Sequence, residues 1–506
     1  MADVIAGLEM VFTAQTLFWV AAGSILGIIL GALPGLTATM GIALMLPISL
    51  YLPTATGMAL LLSVYTGAVS GASIPAILLG IPGNPNALAT VEDGYRMSAK
   101  GMAGLALGGA VVASLIGGLL SLLALMLFAP LLAQATLAFG PAEKFALALV
   151  GLTIIASIAA DDLPKGIVAG ALGVCLAMIG TDPFTNAPRM PFPEAFAMSP
   201  LQNGIKLVPA LIGLFGISQA FLDLEKVARG KVTVPQMQLG RLFPTWGKLA
   251  AMWRIILEST GIGTLIGAIP GTGASIAVFL SYERAKKIAA RSRGRLEPLG
   301  SGCIEGVFAP EVANNAVTGG ALIPVLTLAI PGDAATAVLL GALLVKGVVP
   351  GHQLFTENLP LVYAIFAEVG LSLVAMFIFQ LAGVRLYPKV LKVPLTLLIP
   401  IVLALSFVGT FAIDGQAVVT ATYDMGVALL LGVIGFLLKK GDYPISPLVL
   451  GLILGPMLEE NMRLAVKVGQ GSYLTFFERP IALAFIVLAV LSIIGPRLFR
   501  LLRRKA

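Results

Sequence analysis

Residues 27–38 read GIILGALPGLTA and residues 263–274 read GTLIGAIPGTGA, so two distant stretches share six of twelve positions. A second pair follows each copy: residues 71–83 read GASIPAILLGIPG and residues 320–332 read GALIPVLTLAIPG, with eight of thirteen positions identical. Proline removes a helical N–H and glycine relaxes the backbone, so each Pro-Gly pair predicts a break in a helix. Two matched blocks in the same order indicate an internal duplication rather than chance similarity between apolar segments.

The charges around the second copy indicate a hairpin. Six basic residues and no acidic residue lie within 226–254, and six more basic residues lie within 283–297. Because basic loops favour the cytoplasmic side of a membrane, the loops around Arg241 and Arg291 should both face the cytoplasm. The segment between them is therefore predicted to enter the membrane, break at its Pro-Gly pair and return to the same side, as a re-entrant hairpin.

The first copy should enter from the opposite side, because residues 1–95 contain no Lys or Arg. The pattern predicts an inverted-topology repeat, the architecture in which secondary transporters hold a substrate between discontinuous helices at the bilayer midplane. We assign repeat one to about 15–135, connecting helices with the cytoplasmic basic loop to about 140–255, repeat two to about 255–385, and C-terminal helices to about 386–506.

The composition places the whole chain in a membrane. Of the 506 residues, 58% are hydrophobic and 11% are charged, whereas about 25% of residues are charged in ordinary soluble domains. At about 20 residues per span, the chain has room for roughly ten to twelve transmembrane helices, so an all-α polytopic fold is expected. The net charge of +7 resides in short loops and the C-terminal tail. This distribution predicts a cytoplasmic C-terminus and no binding of nucleic acid.

The Pro-Gly breaks are the candidate substrate site. A half-helix that follows a break begins with unpaired N–H groups at the positive end of its dipole, which can bind an anion without a basic side chain. No charged residue lies within 27–50 or 261–281. The alternative is that the glycines only allow helices to pack closely. The candidate substrate-binding residues are Pro34, Gly35, Thr37, Thr39, Gly83, Asn84, Pro270, Gly271, Thr272, Gly273, Ser275 and Gly332.

Polar residues near the second breaks suggest a coupling cation. Asn314, Asn315 and Asp333 could offer oxygen ligands to Na⁺, although the asparagines could equally join helices and Asp333 could cap one. The coupling ion is expected to be Na⁺ or H⁺, with Na⁺ favoured because neutral polar oxygens outnumber carboxylates around the breaks. The polar stretch 92–100, which contains Asp93, is expected to be a solvated loop. No cofactor is expected, and no catalytic motif occurs in a usable context, so the chain should not be an enzyme.

Several long strings resemble the large membrane subunit of the tripartite tricarboxylate transporters, the TctA type. The resemblance covers nearly the whole chain and includes GALPGLTATMGIALMLPISL, GASIPAILLGIPGNPNALATVEDGYRMSAKG, GAIPGTGASIAVFLSYERAKK and EGVFAPEVANNAVTGGALIPVLTLAIPGDAATAVLLGAL. It implies cation-coupled import of a small di- or tricarboxylate across a bacterial inner membrane. It also implies a small four-helix membrane subunit, a periplasmic substrate-binding protein and an architecture similar to that of elevator-type ion-coupled transporters.

Two other classes of membrane protein remain as alternatives. An ion channel or pore could also be built from paired broken helices, although channels more often place rings of carbonyls or charges on the axis of a symmetric oligomer. A membrane-anchored scaffold would leave the polar breaks without a purpose. Gradient-driven, saturable uptake into proteoliposomes would distinguish a transporter from both.

The stretch 181–204 carries five prolines and a single basic residue, Arg189. It is predicted to be an ordered outer loop, since it lies between apolar segments and lacks the positive charge of a cytoplasmic loop. A stiff connector without a partner is the alternative. The family resemblance favours a docking loop for the periplasmic binding protein, with Phe192 and Glu194 as positions for cross-linkers.

Overall fold

The structure is a computed structural model, and its description covers residues 1–33, 35–158, 163–189, 204–227, 240–292, 294–391, 393–412 and 418–503. Helices dominate this part of the chain. An isolated bridge between Thr181 and Pro188 is the one β-type pairing among the residues so covered. The predicted all-α fold is therefore confirmed.

The helices up to the second hairpin are α1 (Ala2–Val11), α2 (Ala14–Ala32), α3 (Ala38–Leu50), α4 (Thr54–Gly71), α5 (Ser73–Leu79), α6 (Leu88–Ala99), α7 (Ala103–Ala135), α8 (Pro141–Ile158), α9 (Leu163–Ala177), α10 (Leu207–Leu211), α11 (Ser218–Val227) and α12 (Trp246–Ala251). The helices from that hairpin onward are α13 (Trp253–Ala268), α14 (Gly273–Ala290), α15 (Ile304–Leu328), α16 (Ala334–Val345), α17 (His352–Glu357), α18 (Leu359–Ala382), α19 (Tyr387–Val390), α20 (Leu395–Ala412), α21 (Val418–Lys440), α22 (Ile445–Val468), α23 (Thr475–Glu478) and α24 (Pro480–Arg503). Short 3-10 segments occur at Pro85–Ala87, Thr136–Ala138 and Gly383–Arg385, and a π-helical segment at Ile212–Ile217 joins α10 to α11.

Six helical segments are long and apolar enough to cross a membrane, counted within the described ranges. They are Ala14–Ala32, Thr54–Leu79, Ala103–Ala138, Leu207–Glu225, Leu359–Arg385 and Val419–Lys440. Shorter apolar helices accompany them at Ala38–Leu50, Leu163–Ala177, Ala334–Val345, Thr396–Phe411 and Pro480–Ile494. Since a span needs about 20 residues, the chain is a multi-pass membrane protein.

The helices form two compact units. One unit comprises Met1–Leu131 and Gln219–Leu405, and the other comprises Leu132–Ser218 and Ser406–Ala506. Both copies of the repeated motif belong to the first unit, which therefore contains all the candidate site residues. The second unit contains α8–α10 and α21–α24, whereas α12 of the predicted connecting segment and α19 of the predicted C-terminal segment belong to the first unit.

The two copies of the repeat have corresponding helices. The hairpin α2–α3 corresponds to α13–α14, the pair α4–α5 corresponds to the continuous helix α15, and α6 corresponds to α16. The ends of α5 and α15 also match: Gly80 (φ 68°) and Ala329 (φ 55°) are both left-handed, and their N–H groups donate to the carbonyls of Pro75 and Pro324. The duplication predicted from the sequence is therefore a duplication of backbone structure.

Glycines inside the hairpin helices serve close packing. A Cβ at Gly27 on α2 would lie 2.5 Å from the carbonyl oxygen of Val64 on α4, and a Cβ at Gly267 on α13 would lie 2.6 Å from that of Val317 on α15. Real Cβ atoms do not approach backbone so closely. For these positions the packing interpretation is correct, as expected for small residues between membrane helices.

Polar contacts join the two helices of the second hairpin at the end opposite its tip. The Glu258 carboxylate on α13 forms ion pairs with Arg254, at 2.7 Å, and with Arg284 on α14. Deeper in the hairpin, the hydroxyl of Ser281 donates to that of Ser259 at 2.7 Å. These contacts hold α13 and α14 side by side, so the segment returns to the end from which it enters.

The described parts of both basic loops, 240–254, 283–292 and 294–297, lie at the end of the hairpin opposite its tip. Lys248 on α12 pairs with Glu297 at 2.8 Å and with Glu305 at 2.9 Å. Burial alone would lower the pKa of Lys248, but the two carboxylates raise it above its ordinary value. The loops around Arg241 and Arg291 are therefore tied to the same end of the unit, as the hairpin requires; their membrane side stays a prediction.

The two repeats are interlocked at both hairpin mouths. The Lys346 ammonium, after α16 of the second repeat, donates to the Leu52 carbonyl at the mouth of the first hairpin, at 2.8 Å. The Lys100 ammonium, after α6 of the first repeat, donates to the Ser301 carbonyl at the mouth of the second hairpin. Leu52 and Ser301 occupy matching positions in the two copies. Each hairpin mouth is therefore closed by the other repeat; entry of the two hairpins from opposite sides stays a prediction.

The second unit packs through small residues and partly exposed ion pairs. A Cβ at Gly173 on α9 would overlap the Leu448 carbonyl on α22. Arg479, beside α24, binds Glu143 on α8 at 2.8 Å. Asp182 begins a turn and forms a 2.6 Å ion pair with a guanidinium of α22. This unit thus has its own core and its own polar anchors.

Candidate functional site

The tip of the second hairpin is a partly exposed backbone turn. Gly271 (φ 79°) and Gly273 (φ 66°) are left-handed, a conformation that favours glycine, and Pro270 precedes them. The hydroxyl of Thr272 turns back to donate to the Ile269 carbonyl at 2.8 Å, so it satisfies the end of α13 rather than the start of α14. No side chain caps the first turn of α14, which leaves this helix start available to an anion.

The tip of the first hairpin has the same turn with a different cap. Gly35 is left-handed (φ 96°), and the Thr37 side chain accepts the Met40 N–H at 3.3 Å as the N-cap of α3. Thr39 is 9% exposed, so its hydroxyl lies mostly inside the unit. Pro34 falls outside the described residues, and its role as a candidate remains a prediction.

Each hairpin tip is hydrogen-bonded to the second break of its own repeat. The Gly35 N–H donates to the Gly83 carbonyl at 3.3 Å, and the Gly271 N–H donates to the Gly332 carbonyl at 2.8 Å. A Cβ at Gly83 would lie 2.5 Å from the Gly31 carbonyl, and one at Gly332 would lie 2.5 Å from its counterpart in α13. The structure therefore brings the four Pro-Gly breaks together in two pairs.

The polar residues after the second breaks act as helix caps. The Asn84 side chain, 7% exposed, accepts the Asn86 N–H at 3.0 Å. Asp333 forms a capping box with Thr336 at the start of α16, with 2.8 Å between the carboxylate and the Thr336 amide nitrogen. A carboxylate already occupies the positive end of α16, so this helix start favours a second anion less than the start of α14.

Contacts between the repeats join the two pairs of breaks. The Ser275 hydroxyl on the second hairpin donates to the Asn86 amide oxygen of the first repeat at 2.9 Å. The Tyr65 hydroxyl on α4 donates to the Asp333 carboxylate of the second repeat at 3.1 Å. Asn86 and Tyr65 are absent from the sequence-derived set. The repeat alignment could have indicated Tyr65, since it occupies the position that corresponds to Asn314.

The predicted cation ligands separate into two places. Asn314 and Asn315 are 1% and 0% exposed on α15, where their amide nitrogens donate to the Val69 carbonyl at 3.3 Å and the Ser114 hydroxyl at 2.8 Å. Both interhelical hydrogen bonds and free amide oxygens are therefore present at these asparagines. Asp333 instead belongs to the cap of α16, and its proposed contact with Na⁺ stays a prediction.

The expectation of a solvated loop at 92–100 is wrong. Residues Leu88–Ala99 form helix α6, and Asp93 is 0% exposed. Its carboxylate accepts the N–H groups of Gly300 at 2.9 Å, Gly302 at 2.6 Å and Cys303 at 3.1 Å, together with the Tyr282 hydroxyl at 2.7 Å. The local sequence is polar enough to resemble a loop, but donors that lie 189 to 210 residues away in the sequence surround this buried carboxylate.

Comparison with known proteins gives a family. The model of the tripartite tricarboxylate transporter TctA family matches residues 17–450. An uncharacterized 52.8 kDa protein in the TAR-I ttuC' 3'region of Agrobacterium vitis is 32% identical over 491 residues, which cover 96% of this chain and 94% of that protein. An uncharacterized protein in the TAR-II ttuC' 3'region of the same organism is 32% identical over 232 residues, which cover 46% of this chain and 92% of that protein. No solved structure matches the chain.

The family match spans both repeats and most of the second unit, and the geometry agrees with it. Duplicated hairpins and paired helix breaks within a multi-pass fold are common features of secondary transporters. The chain belongs to the tripartite tricarboxylate transporter TctA family.

Proposed function

We propose that this chain is the large membrane subunit of a tripartite secondary transporter that imports a small di- or tricarboxylate with a coupling cation. Membership of a tripartite family implies partner subunits and a binding protein. In the proposal these partners are a small four-helix membrane subunit and a periplasmic substrate-binding protein. The chain would lie in a bacterial inner membrane with its C-terminus in the cytoplasm, because its basic residues cluster in the loops 226–254 and 283–297 and in the tail.

The observation that carries the proposal is the uncapped start of α14 at the meeting point of the repeats. Gly271, Gly273 and Ser275 are partly exposed there, and Ser275 contacts Asn86 of the other repeat. A helix start contributes up to about 2 kcal/mol to a partly buried anion, whereas desolvating a carboxylate costs several kcal/mol. One helix start is therefore insufficient, and the proposed site also uses the start of α3 and neighbouring polar side chains.

Uptake into proteoliposomes tests the proposal. The purified transporter, loaded by its binding protein, should accumulate a carboxylate against its gradient with saturable kinetics, and only when a cation gradient is imposed. Gly35→Val and Gly271→Val should abolish uptake while the protein remains in the membrane, because valine is strained at φ 96° and 79°. Flux that does not saturate and never exceeds equilibrium would indicate a channel and overturn the proposal.

A control substitution tests whether uptake depends on the glycines at the breaks and not on every glycine of the hairpins. Gly261 lies on α13 of the same hairpin, and a Cβ there meets no atom within 4 Å. Gly261→Ala should therefore transport at the normal rate. Normal uptake by both valine variants would return Gly35 and Gly271 to a packing role only.

Docking of the binding protein is proposed at the outer loop 181–204. Its first part is anchored, since Asp182 accepts the N–H groups of Phe184 and Thr185 at 2.9 and 3.0 Å. Phe192 and Glu194, the positions for cross-linkers, fall outside the residues that the structure describes. Ligand-loaded binding protein should be captured at these positions. Capture of a cytoplasmic component, or uptake that persists without the binding protein, would contradict the assignment.

Cysteine labelling tests the predicted membrane sides. The chain has two cysteines, of which Cys175 is exposed and Cys303 is buried. With Cys175 replaced by serine, single cysteines at Arg241 and Arg291 should both react only from the cytoplasmic side. Labelling from opposite sides would contradict the shared cytoplasmic end of the second hairpin.

A further inference from the structure

We propose that Glu311, Asn314 and Asn315 form the Na⁺ site of this transporter, with the Glu311 carboxylate as its charged ligand. The inference rests on the proposed function for its biological meaning, since a coupling ion needs a transported substrate. Its physical basis is independent of that function. It is an excess of buried oxygen atoms that have no hydrogen-bond donor.

The three side chains share one face of α15. Asn314 and Asn315 follow Glu311 by three and four residues, so each of them adjoins Glu311 on the helix surface. Glu311 and Asn315 are 0% exposed and Asn314 is 1% exposed. Each has one oxygen without a hydrogen-bond partner: Oε2 of Glu311, Oδ1 of Asn314 and Oδ1 of Asn315. Three acceptors within five residues of one buried helix are thus unsatisfied.

The amide donors of the same side chains are already used. The Asn314 Nδ2 donates to the Val69 carbonyl at 3.3 Å, and the Asn315 Nδ2 donates to the Ser114 hydroxyl at 2.8 Å and to the Glu311 carbonyl at 3.0 Å. These contacts assign the nitrogen and oxygen of each amide, because a reversed amide would place an oxygen against a carbonyl. The Asn314 and Asn315 side-chain oxygens are therefore free to bind a cation.

Hydroxyl groups surround the Glu311 carboxylate. The Thr90 hydroxyl donates to Glu311 Oε1 at 2.6 Å, and the Asn314 side chain and the Ser114 hydroxyl lie beside the carboxylate. The Ser114 hydroxyl in turn accepts from Ser70 at 3.0 Å. Neither Lys nor Arg occurs among these contacts. The cluster thus combines one carboxyl group with several neutral oxygens.

A monovalent hard cation fits this set of atoms. Each buried acceptor left without a partner costs about 1–3 kcal/mol. A proton on Glu311 would supply one donor, so it could satisfy at most one of the two amide oxygens. Na⁺ prefers oxygen ligands, as other hard cations do, and could contact all three at once. One carboxylate among neutral ligands also matches a single positive charge, whereas a divalent ion would leave a charge uncompensated in the membrane.

The position of the cluster couples it to the substrate site. Thr90, which donates to Glu311, lies on α6 four residues after Asn86. Asn86 is the residue that contacts Ser275 at the second hairpin tip. A cation that holds Glu311 in place therefore also holds the start of α6 and its contact with the hairpin. In this arrangement Na⁺ and substrate stabilise the same conformation, which is the thermodynamic requirement for coupling.

Binding of ²²Na⁺ to the purified membrane subunit, without substrate or partners, tests the site directly. The wild type should bind Na⁺ saturably and should gain thermal stability in NaCl relative to choline chloride. Glu311→Gln should weaken Na⁺ binding by at least about tenfold, the equivalent of 1.4 kcal/mol. Asn314→Ala, which keeps the charge and removes one oxygen, should weaken binding by a smaller factor. Monodisperse elution during size-exclusion chromatography establishes that each variant is folded.

Glu368 provides the matched control. Like Glu305, it is a further glutamate of this unit with 0% exposure, and both oxygens of its carboxyl group lack hydrogen-bond partners among the described residues. It lies on α18, whereas Asn314 and Asn315 lie on α15. Glu368→Gln should leave Na⁺ binding unchanged. Loss of binding in Glu368→Gln with normal binding in Glu311→Gln would overturn the assignment.

Uptake separates the inference from the proposed function. If the wild-type system shows no gradient-driven uptake, the proposed function fails whatever the binding result. If uptake is driven by Na⁺ but Glu311→Gln binds ²²Na⁺ normally, only the Na⁺ site fails. Uptake driven equally well by a pH gradient in Na⁺-free buffer, with no measurable ²²Na⁺ binding, would also overturn the site.

Discussion

We expect the hydrogen bonds of the Asp93 carboxylate to hold the two repeats together, and we call this carboxylate and its donors the latch. Asp93→Asn is the most direct test of the latch. The side chain is on α6 of the first repeat, and its donors belong to the second repeat: the amides of Gly300, Gly302 and Cys303 and the hydroxyl of Tyr282. The substitution keeps the shape of the side chain and removes its charge. It therefore isolates the charge-assisted part of the hydrogen bonds.

The expected cost follows from these contacts. The asparagine oxygen can still accept from the three amides, and its NH₂ can donate to the Tyr282 oxygen, so only the Tyr282 hydroxyl hydrogen loses its acceptor. A hydrogen bond to a charged acceptor contributes about 1.5–3 kcal/mol, against about 0.5–1.5 kcal/mol for a neutral one. With a difference of roughly 1 kcal/mol for each of three amides, the loop at 300–303 should open about 3 kcal/mol more easily.

Hydrogen exchange of the loop amides measures this change. An increase of about 3 kcal/mol in opening corresponds to roughly 100-fold faster exchange at residues 300–303. Glu92→Gln is the control, because the Glu92 side chain is 49% exposed and pairs with Arg96 at the surface, an interaction that contributes about 0–1 kcal/mol. Unchanged exchange in Asp93→Asn, or an equal increase in Glu92→Gln, would refute the latch.

Three further predictions use other contacts. In Gly306→Ala the new methyl group would overlap the latch carboxylate, so exchange at 300–303 should rise, whereas Gly261→Ala, which has open space, should leave it unchanged. Ser275→Ala removes the donor to Asn86 and should raise the apparent KM for the carboxylate about fivefold, for a bond of about 1 kcal/mol; a KM unchanged in the variant would separate Ser275 from the site. Burial alone would raise the pKa of Asp182, but two backbone N–H groups and a guanidinium lower it from 3.8 to about 2. Its stabilisation of the turn is therefore complete above pH 4 and is lost as the pH falls towards 2, so pepsin cleavage of the turn should rise in that window relative to a free peptide; cleavage independent of pH would contradict this.

Local chemistry accounts for what the sequence predicts well. The four Pro-Gly pairs of the repeated motifs interrupt helices, because proline lacks an N–H and glycine accepts left-handed backbone, and Gly35 and Gly271 are left-handed in the structure. The low charge content required a membrane fold, and the basic loops required a hairpin whose ends meet. Asn84 and Asp333 were recognisable as polar residues at helix starts, and both are caps.

The tertiary structure decides which polar groups meet. Ser275 donates a hydrogen bond to Asn86, Tyr65 donates one to Asp333, and Thr90 donates one to Glu311. These pairs are separated by 189, 268 and 221 residues in the sequence. No local pattern encodes such pairs, because each depends on how two repeats interlock. The burial of Asp93 also depends on how the repeats interlock, because its hydrogen-bond donors belong to the second repeat.

The sequence by itself therefore determined the helices, their breaks, the duplication and the family, since these depend on short-range backbone chemistry and hydropathy. Only the tertiary structure decided that a polar helix is buried at Asp93 and that unsatisfied oxygens gather at Glu311, Asn314 and Asn315. Burial and hydrogen-bond satisfaction are properties of a side chain's surroundings, and here those surroundings come from the other repeat.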